Sequence, residues 1–508
     1  MGFCRGRLLL LSGATFAATP SCATTLRDAF VTTYQTSPTL TSARAQLRGL
    51  DEGVPIAKAQ SRLQVTGTVG VTQSTDGISS ITNGSRVLTG GLNLSYPLFQ
   101  GGRVKNAINA AESRVIAGRA DLRSVEGDLF TQAVGAYMDV IRDTAIVDLN
   151  KKNVAVLQTN LQASRDRFQV GDLTRTDVAQ SQARLSLARS QLATAQGNLT
   201  SSRETYRRVI GDWPEALEPP PPLPVPPPTA DEAVRVALAN NPSIATADAS
   251  SRAAGFDVRT ARAQRLPAFS AIGSSSYNNY LGTANRVVGL PDGTEGLDQT
   301  RAGNNLGVQL SVPLYQGGLV GARVRQAQAA ESRAVEQGIS VERQVIANTR
   351  AAYAIAQAQG AAIVANQQAV SANQLALEGV RAENSAGTRT VLDVLNAEQE
   401  LLNSQVALVS AQRNQYVAGF ALLNAMGKAQ ANDLGLDGGT LYDPTTNFDR
   451  SRRRLSDWGD NPAVQAQATR TTGDTPDDPD ARPLPPDDTG DDLTLSPPSP
   501  PRVTRRPN

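Results

Sequence analysis

Histidine is missing from all 508 residues, and cysteine is down to Cys4 and Cys22. Imidazole acid–base chemistry, zinc sites and Cys–His nucleophiles are thereby excluded, and no structural disulfide is available beyond the first segment. Aromatics make up 4% and charged residues 19%, a thin recipe for one large globular core. The net charge of +2 is spread over interleaved acids and bases, so no nucleic-acid face is expected. Past the N-terminus no run of about 18 apolar residues occurs, so no helix is expected to cross a membrane. Gly101-Gly102 and Gly317-Gly318 sit in neither a GxGxxG nor a GxxxxGK[ST] pattern. Neither an enzyme nor a cofactor is expected.

What the chain does have, it has twice. Ser95-Tyr96-Pro97-Leu98-Phe99-Gln100-Gly101-Gly102 returns 216 residues later as Ser311-Val312-Pro313-Leu314-Tyr315-Gln316-Gly317-Gly318. The same shift pairs Tyr137 with Tyr353, Gly171 with Gly387, Asp177 with Asp393 and Gly211 with Gly427. Pro38 and Pro242 are only 204 apart, so the second copy carries 12 extra residues between those landmarks. A repeat this long is a domain-sized unit, not a solenoid module.

Arg5 and Arg7, the apolar stretch Leu8 to Ala18 and the small residues ending at Ala23 read as an export signal over 1–23. Cys22 is not expected to carry lipid, because Thr19 stands where a lipobox usually has Leu. The repeats then span 24–218 and 229–427, joined by a stiff proline-rich connector at 219–228. From 428 to 508 Asp, Pro, Arg and Thr replace any apolar period, and a disordered tail is expected.

Each repeat opens with one helical stretch, Leu26 to Leu63 and Ala230 to Arg265. Alternation then takes over at Val65 to Thr72 with Leu92 to Tyr96, and from Phe269 with Leu306 to Val312, predicting two β-hairpins. Their loops centre on 76–86 and 281–303, and the 12-residue surplus is expected in the second. Pro97 and Pro313 are expected to break strand from helix. Helices of nearly 70 residues follow, Arg103 to Val170 and Leu319 to Ala386, each a rod of about 100 Å. Gly171 and Gly387 end them, and the returning helices carry a seven-residue stripe, Val178, Leu185, Leu192 and Leu199, then Val394, Leu401 and Leu408. Small residues three positions on, such as Ser181 and Ala188, permit close helix pairing. Tyr137 and Tyr353 read as helix-packing residues.

Four alternating strands cannot close a barrel, which needs about eight, and lipid tolerates no open edge. Either they form a soluble sandwich or several chains pool them; the absence of any other apolar sheet partner favours pooling. A periplasmic coiled-coil adaptor or scaffold would account for the helices but not for the hairpins.

The duplicated Pro-Leu-Phe/Tyr-Gln-Gly-Gly signature, together with Ala386-Gly387-Thr388-Arg389-Thr390-Val391-Leu392-Asp393-Val394-Leu395-Asn396, resembles the TolC family of outer-membrane channel-tunnels over about Leu26 to Gly427. The resemblance implies a mostly α, α+β fold whose homotrimer shares one 12-stranded barrel in outer-membrane lipid above a periplasmic helical tunnel. It further implies a passive exit duct for drugs or secreted proteins, served by a periplasmic adaptor and an inner-membrane ABC or proton-driven transporter. By the same resemblance Asp393 rings the narrow end of the pore, with Asn396 where a second acid often stands. Arg389 would bond Thr176 and Asp177 of the neighbouring hairpin to hold the aperture shut. Without the resemblance these are ordinary solvated charges in first helical turns. Asn384 falls where the family often has a tyrosine.

Overall fold

The computed structural model describes residues 24–73, 86–283, 298–436, 441–459, 463 and 465–472. The expected export segment, most of both hairpin loops and the chain after 472 lie outside the described residues. The described chain falls into two compact units. One comprises the chain up to Arg142 with Arg203–Ser371 and Ala407 onward; the other comprises Asp143–Ser202 with Ala372–Val406.

The expected opening helix of each repeat is two helices. α1 (Leu26–Thr36) starts in a capping box between Thr25 and Asp28, and α2 (Pro38–Ala59) has proline in its first turn. Ser37, forced out of the helical region by the proline after it, takes φ −64° and ψ 124°. The second repeat breaks at the same place. Asn241, before Pro242, accepts from the Ser243 N–H and separates its first helix from its second, and both repeats have a second helix of 22 residues.

β1 (Gln64–Gln73) and β2 (Arg86–Phe99) follow, then α3 (Arg103–Gln169) and α4 (Arg175–Ile210). The second repeat supplies α5 (Ala230–Asn240), α6 (Pro242–Ala263), β3 (Ala268–Asn279), β4 (Thr300–Ser311), α7 (Leu319–Ser385) and α8 (Val391–Ala425). The strands form one antiparallel sheet in the order β1-β2-β3-β4. Gln64 pairs with Ser95 and Ala268 with Ser311, so the two hairpins share one register under the repeat shifts. The surplus therefore lies wholly at the far end of the second hairpin. There the ladder runs on to Asn279–Thr300, whereas the first stops at Gln73–Arg86.

Pro97 does not break the strand as expected. It lies inside β2 opposite Ser270, just before a register shift at Phe99. β1 has already run out, since its last pair is at Ser95. On that side the missing N–H therefore costs no ladder bond. The turn itself is made by Gly101 and Gly102 at φ +60° and +78°, repeated by Gly317 and Gly318 at +59° and +80°. Pro313 does stand beyond the end of β4.

In the first unit Phe30 meets Phe130 edge-on at 5.1 Å and Phe420 at 5.8 Å. Phe130 is fully buried, a burial worth about 1.5–3 kcal/mol. Leu40 and Leu47 pack on Leu122 and Leu129; Val54 and Ala57 pack on Ala111 and Val115. Glycines that follow the returning helices fit against the ends of the opening ones. A Cβ on Gly211 would lie 2.7 Å from Thr36 Oγ1, and one on Gly427 would lie 2.5 Å from the Asn240 carbonyl.

The expected disorder from 428 onward is corrected for the described residues up to 459. Ala429, Ala431 and Leu436 are buried, and α9 (Pro444–Ser451) packs along α2. Glu126 accepts from the Ala431 N–H, Asn447 donates to Asp51 at 2.8 Å, and Ser451 donates to Glu52. Phe448 joins the Val54–Val115 cluster. A few single anchors hold this segment, which needs no apolar period.

The stripe on α4 is buried from Leu185 onward, with Leu185, Leu192 and Leu199 at 2% exposure or less, while Val178 is half-buried. On α8 the buried row is shifted by one residue. Leu395 and Leu402 are buried, while Val394 and Leu401 are half-buried.

Candidate functional site at the hairpin tips

The turns joining α3 to α4 and α7 to α8 lie in the second unit and are built alike. α3 ends with the Gly171 N–H on the Phe168 carbonyl and the Asp172 N–H on the Arg167 carbonyl. α7 ends with Gly387 on Asn384 and Thr388 on Glu383. Gly171 and Gly387 take φ +83° and +81°, the left-handed closure that glycine makes without strain.

The next helix starts in each case with a reciprocal cap. Thr174 donates its N–H and hydroxyl to Asp177 Oδ2 at 2.9 and 2.6 Å, and the Asp177 N–H donates back to Thr174 Oγ1. Thr390 and Asp393 repeat this at 3.0 and 2.8 Å. These bonds hold both carboxyls below the usual carboxylate range. Asp177 and Asp393 are thus helix-start partners first, and both stay ionised at neutral pH.

The ion pairs at the two tips are inverted in sign. Arg167 pairs with Asp172 at 2.7 Å. At the equivalent site Glu383 takes the place of Arg167 and pairs with Arg389 at 2.8 Å. Within the chain Arg389 is therefore held by its own hairpin, and the structure does not bring it to Thr176 or Asp177. Asn384, at the expected tyrosine position, instead donates to the Arg389 carbonyl at 2.8 Å.

Asn396 accepts from Arg184 of α4 at 2.6 Å, tying the two hairpins together. Two residues further on, Glu398, buried at 7% exposure, accepts from Asn160 of α3 at 3.0 Å and from Arg381 of α7 at 2.9 Å. Sequence reading missed Glu398 and Glu383. Glu383 was signalled by the Arg167–Asp172 pair in the first repeat; Glu398 had no local signal, because its partners are 17 and 238 residues away.

In the first unit, a second set of glycine turns joins strands to long helices. Gly101 is also a close approach, since a Cβ there would lie 2.6 Å from Leu266 Cβ; Gly317 has nothing within 4 Å. No helix among the described residues is long and apolar enough to cross a membrane.

Comparison with known proteins gives this architecture its family. The model of the family described as Outer membrane efflux protein matches residues 31–212 and 233–428, both repeats and little else. Outer membrane efflux protein BepC of Brucella suis is 35% identical over 428 residues, covering 84% of this chain and 91% of the relative. Outer membrane protein TolC of Escherichia coli is 28% identical over 60% of this chain and 62% of its own length. Among solved structures, the CmeC outer membrane channel of Campylobacter jejuni superposes with a TM-score of 0.69 at 16% identity, over 85% of this chain and 90% of that one. Two repeats of paired helices and a β-hairpin, with glycine turns at both ends, make this chain a member of the outer membrane efflux protein family.

Proposed function

We propose that three copies of this chain form an outer-membrane exit duct. Substrates handed over by an inner-membrane ABC or proton-driven transporter and a periplasmic adaptor would pass through it without chemistry. The observation that carries the reading is the sheet. Among the described residues its four strands leave β1 and β4 unpaired on their outer sides, and Val69 and Leu306 are 85% and 92% exposed. Such a sheet has no place in water and, unclosed, none in lipid. Pooling three sheets gives twelve strands and removes every edge. α7 supports the same reading, because Val335, Ile339 and Ile355 on it are each more than 40% exposed, an apolar surface that a neighbouring copy would cover.

In this reading the hairpin tips close the duct. Asp393 lines the constriction with Asn396 beside it, and Arg389 exchanges between Glu383 of its own hairpin and Thr176 and Asp177 of a neighbouring one. The experiment is purification in detergent followed by reconstitution into planar bilayers. A trimer giving discrete channel openings is expected; a stable folded monomer without conductance would overturn the proposal.

A further inference from the structure

We propose that the β4 edge of one copy pairs with the β1 edge of the next in a single register, Leu310 opposite the partner's Val69, and that the chain carries the template for that register in its own β2–β3 pairing. The inference rests on the trimeric duct read above and adds to it which residues of two copies meet.

The template follows from the repeat. A shift of 204 carries β1 onto β3 and a shift of 216 carries β2 onto β4, since the pair Gln64–Ser95 returns as Ala268–Ser311 and Gln73–Arg86 returns as Tyr277–Ala302. The β2–β3 ladder is therefore the contact between the end of one hairpin and the start of its copy. Among the described residues the outer edges of β1 and β4 are open, and a β4 meeting a following β1 is that same contact one repeat further on. Such a head-to-tail contact closes a ring of identical copies. Within the chain Leu94 pairs with Gly273, Leu92 with Ser275 and Ser95 with Ile272. Carried forward by the two shifts, these pairs set Leu310, Val308 and Ser311 opposite the partner's Val69, Val71 and Thr68.

Two observations agree with this register without having been used to find it. The first is the pleat. Residues directly opposite in a ladder lie on one face, and here leucine and valine of β4 meet valines of β1, while Ser311 meets Thr68 and Gln309 meets Gly70. A slip of one residue would turn the apolar rows of the two strands to opposite faces. The second is strand length. β2 runs on to Phe99, where Tyr96, Pro97 and Phe99 pair with Ala271, Ser270 and Phe269. β4 stops at Ser311, its last pair with β3. Leu314 and Tyr315 are 92% and 88% exposed, whereas Leu98 and Phe99, at the same points of the first repeat, are 50% and 55% exposed. The proposed neighbour supplies what β3 gives β2, bringing the partner's Gly67 and Thr66 opposite Val312 and Pro313.

Cysteine cross-linking tests the register on the full chain, whose own Cys4 and Cys22 both precede the repeats. Leu310→Cys and Val69→Cys are combined, and the trimer in detergent is treated with dibromobimane, which fluoresces once it joins two thiols. Within one chain β1 and β4 lie at opposite edges of the sheet, three strand spacings or about 14 Å apart. Fluorescent covalent dimers and trimers on a denaturing gel are therefore expected, and neither single variant should give them. Leu310→Cys with Gly67→Cys or with Val71→Cys, two residues off on the same face, should link roughly threefold less, because diagonal neighbours stand further apart than opposed ones. Val308→Cys with Val71→Cys reads the same register a second time if the first pair does not assemble. Equal or stronger linkage by a displaced pair would overturn the register while leaving the trimer. Conducting trimers that link through none of these pairs would overturn the edge contact itself. If wild type forms no trimer, the duct reading falls and the register with it.

Discussion

Tyr137 and Tyr353 stand 216 residues apart and hold the same point of their two repeats. Tyr137 shares its phenol hydrogen between the carbonyls of Glu218 and Thr24, at 2.7 and 3.0 Å; Tyr353 donates to the Pro228 carbonyl at 3.0 Å. Thr24 and Pro228 each lie two residues before the first helix of their repeat. Burial pushes the Tyr137 phenol upward, so it remains a donor throughout the neutral range. Tyr137→Phe should cost about 1–2 kcal/mol, and Tyr353→Phe less, because Tyr137 serves two carbonyls. Thermal unfolding followed by circular dichroism would give the order.

Gly101 and Gly317 separate two reasons for glycine. Both take positive φ near 60°, so alanine at either should cost about 1–2 kcal/mol. Only at Gly101 would the added Cβ also clash, 2.6 Å from Leu266 Cβ. Gly101→Ala should therefore reduce assembled trimer well below the level of Gly317→Ala on a non-denaturing gel, and equal yields would show that the clash is relieved freely.

The caps at the tips make a pH prediction. Asp177 and Asp393 have folded values depressed by the Thr174 and Thr390 bonds. Their stabilisation is then fully present above the ordinary aspartate value of about 3.9 and is lost as pH falls through the folded values. Thr174→Ala should lower hydrogen-exchange protection of the first turn of α4 at neutral pH, by about 1 kcal/mol. The difference from wild type should begin to shrink only below the ordinary aspartate value of about 3.9 and narrow further as pH falls through the lower folded value.

Conductance probes the closure. Arg389→Ser with Asp177→Ala should widen the aperture, raising single-channel conductance and admitting bulky antibiotics. Glu383→Gln alone should free Arg389 for a neighbour and leave conductance at or below wild type. Asp393→Ala should reduce cation preference, because three carboxylates around a narrow axis attract cations. Unchanged conductance and selectivity in all of these would move the constriction elsewhere.

Phe448→Ala should destabilise the first unit by about 1–2 kcal/mol, since the ring is partly buried on Val54, Ala57 and Val115. Truncation before Pro444 should do more, because Asp51 would lose Asn447 and Glu52 would lose Ser451. Urea titration of both variants would rank them.

Most of the fold was legible because repetition and period report on many residues at once. The long helices, expected at Arg103 to Val170 and Leu319 to Ala386, end within one residue of those limits. The break at Pro38 was harder to see, since a proline in a first helical turn looks in sequence like one that interrupts a helix; Pro55, inside α2, shows the opposite case. The C-terminal segment escaped because its hold depends on Phe448, Asn447 and Ser451 finding distant partners, which no local pattern records. At the tips, Asp177 and Asp393 were found, but each had a nearer duty, to the threonine three residues before it, than the one resemblance implied.

The two hairpins, compared in register, also serve as a record of drift. Copies that began equal have kept identical spacing from Pro97 to Gly211 and from Pro313 to Gly427, through both glycine turns and the whole helical hairpin. All 12 residues of divergence between the Pro38/Pro242 and Pro97/Pro313 landmarks accumulated at one strand tip. Lengthening a loop costs only a fraction of a kcal/mol, about 0.6 per doubling, whereas one added residue in a paired helix rotates every side chain after it by about 100°. The chain thus has one stretch where length is nearly free and one where it is held to the residue. Foreign peptide inserted between Asn279 and Thr300 should be carried without loss of assembly, and the same peptide beside Gly171 or Gly387 should not.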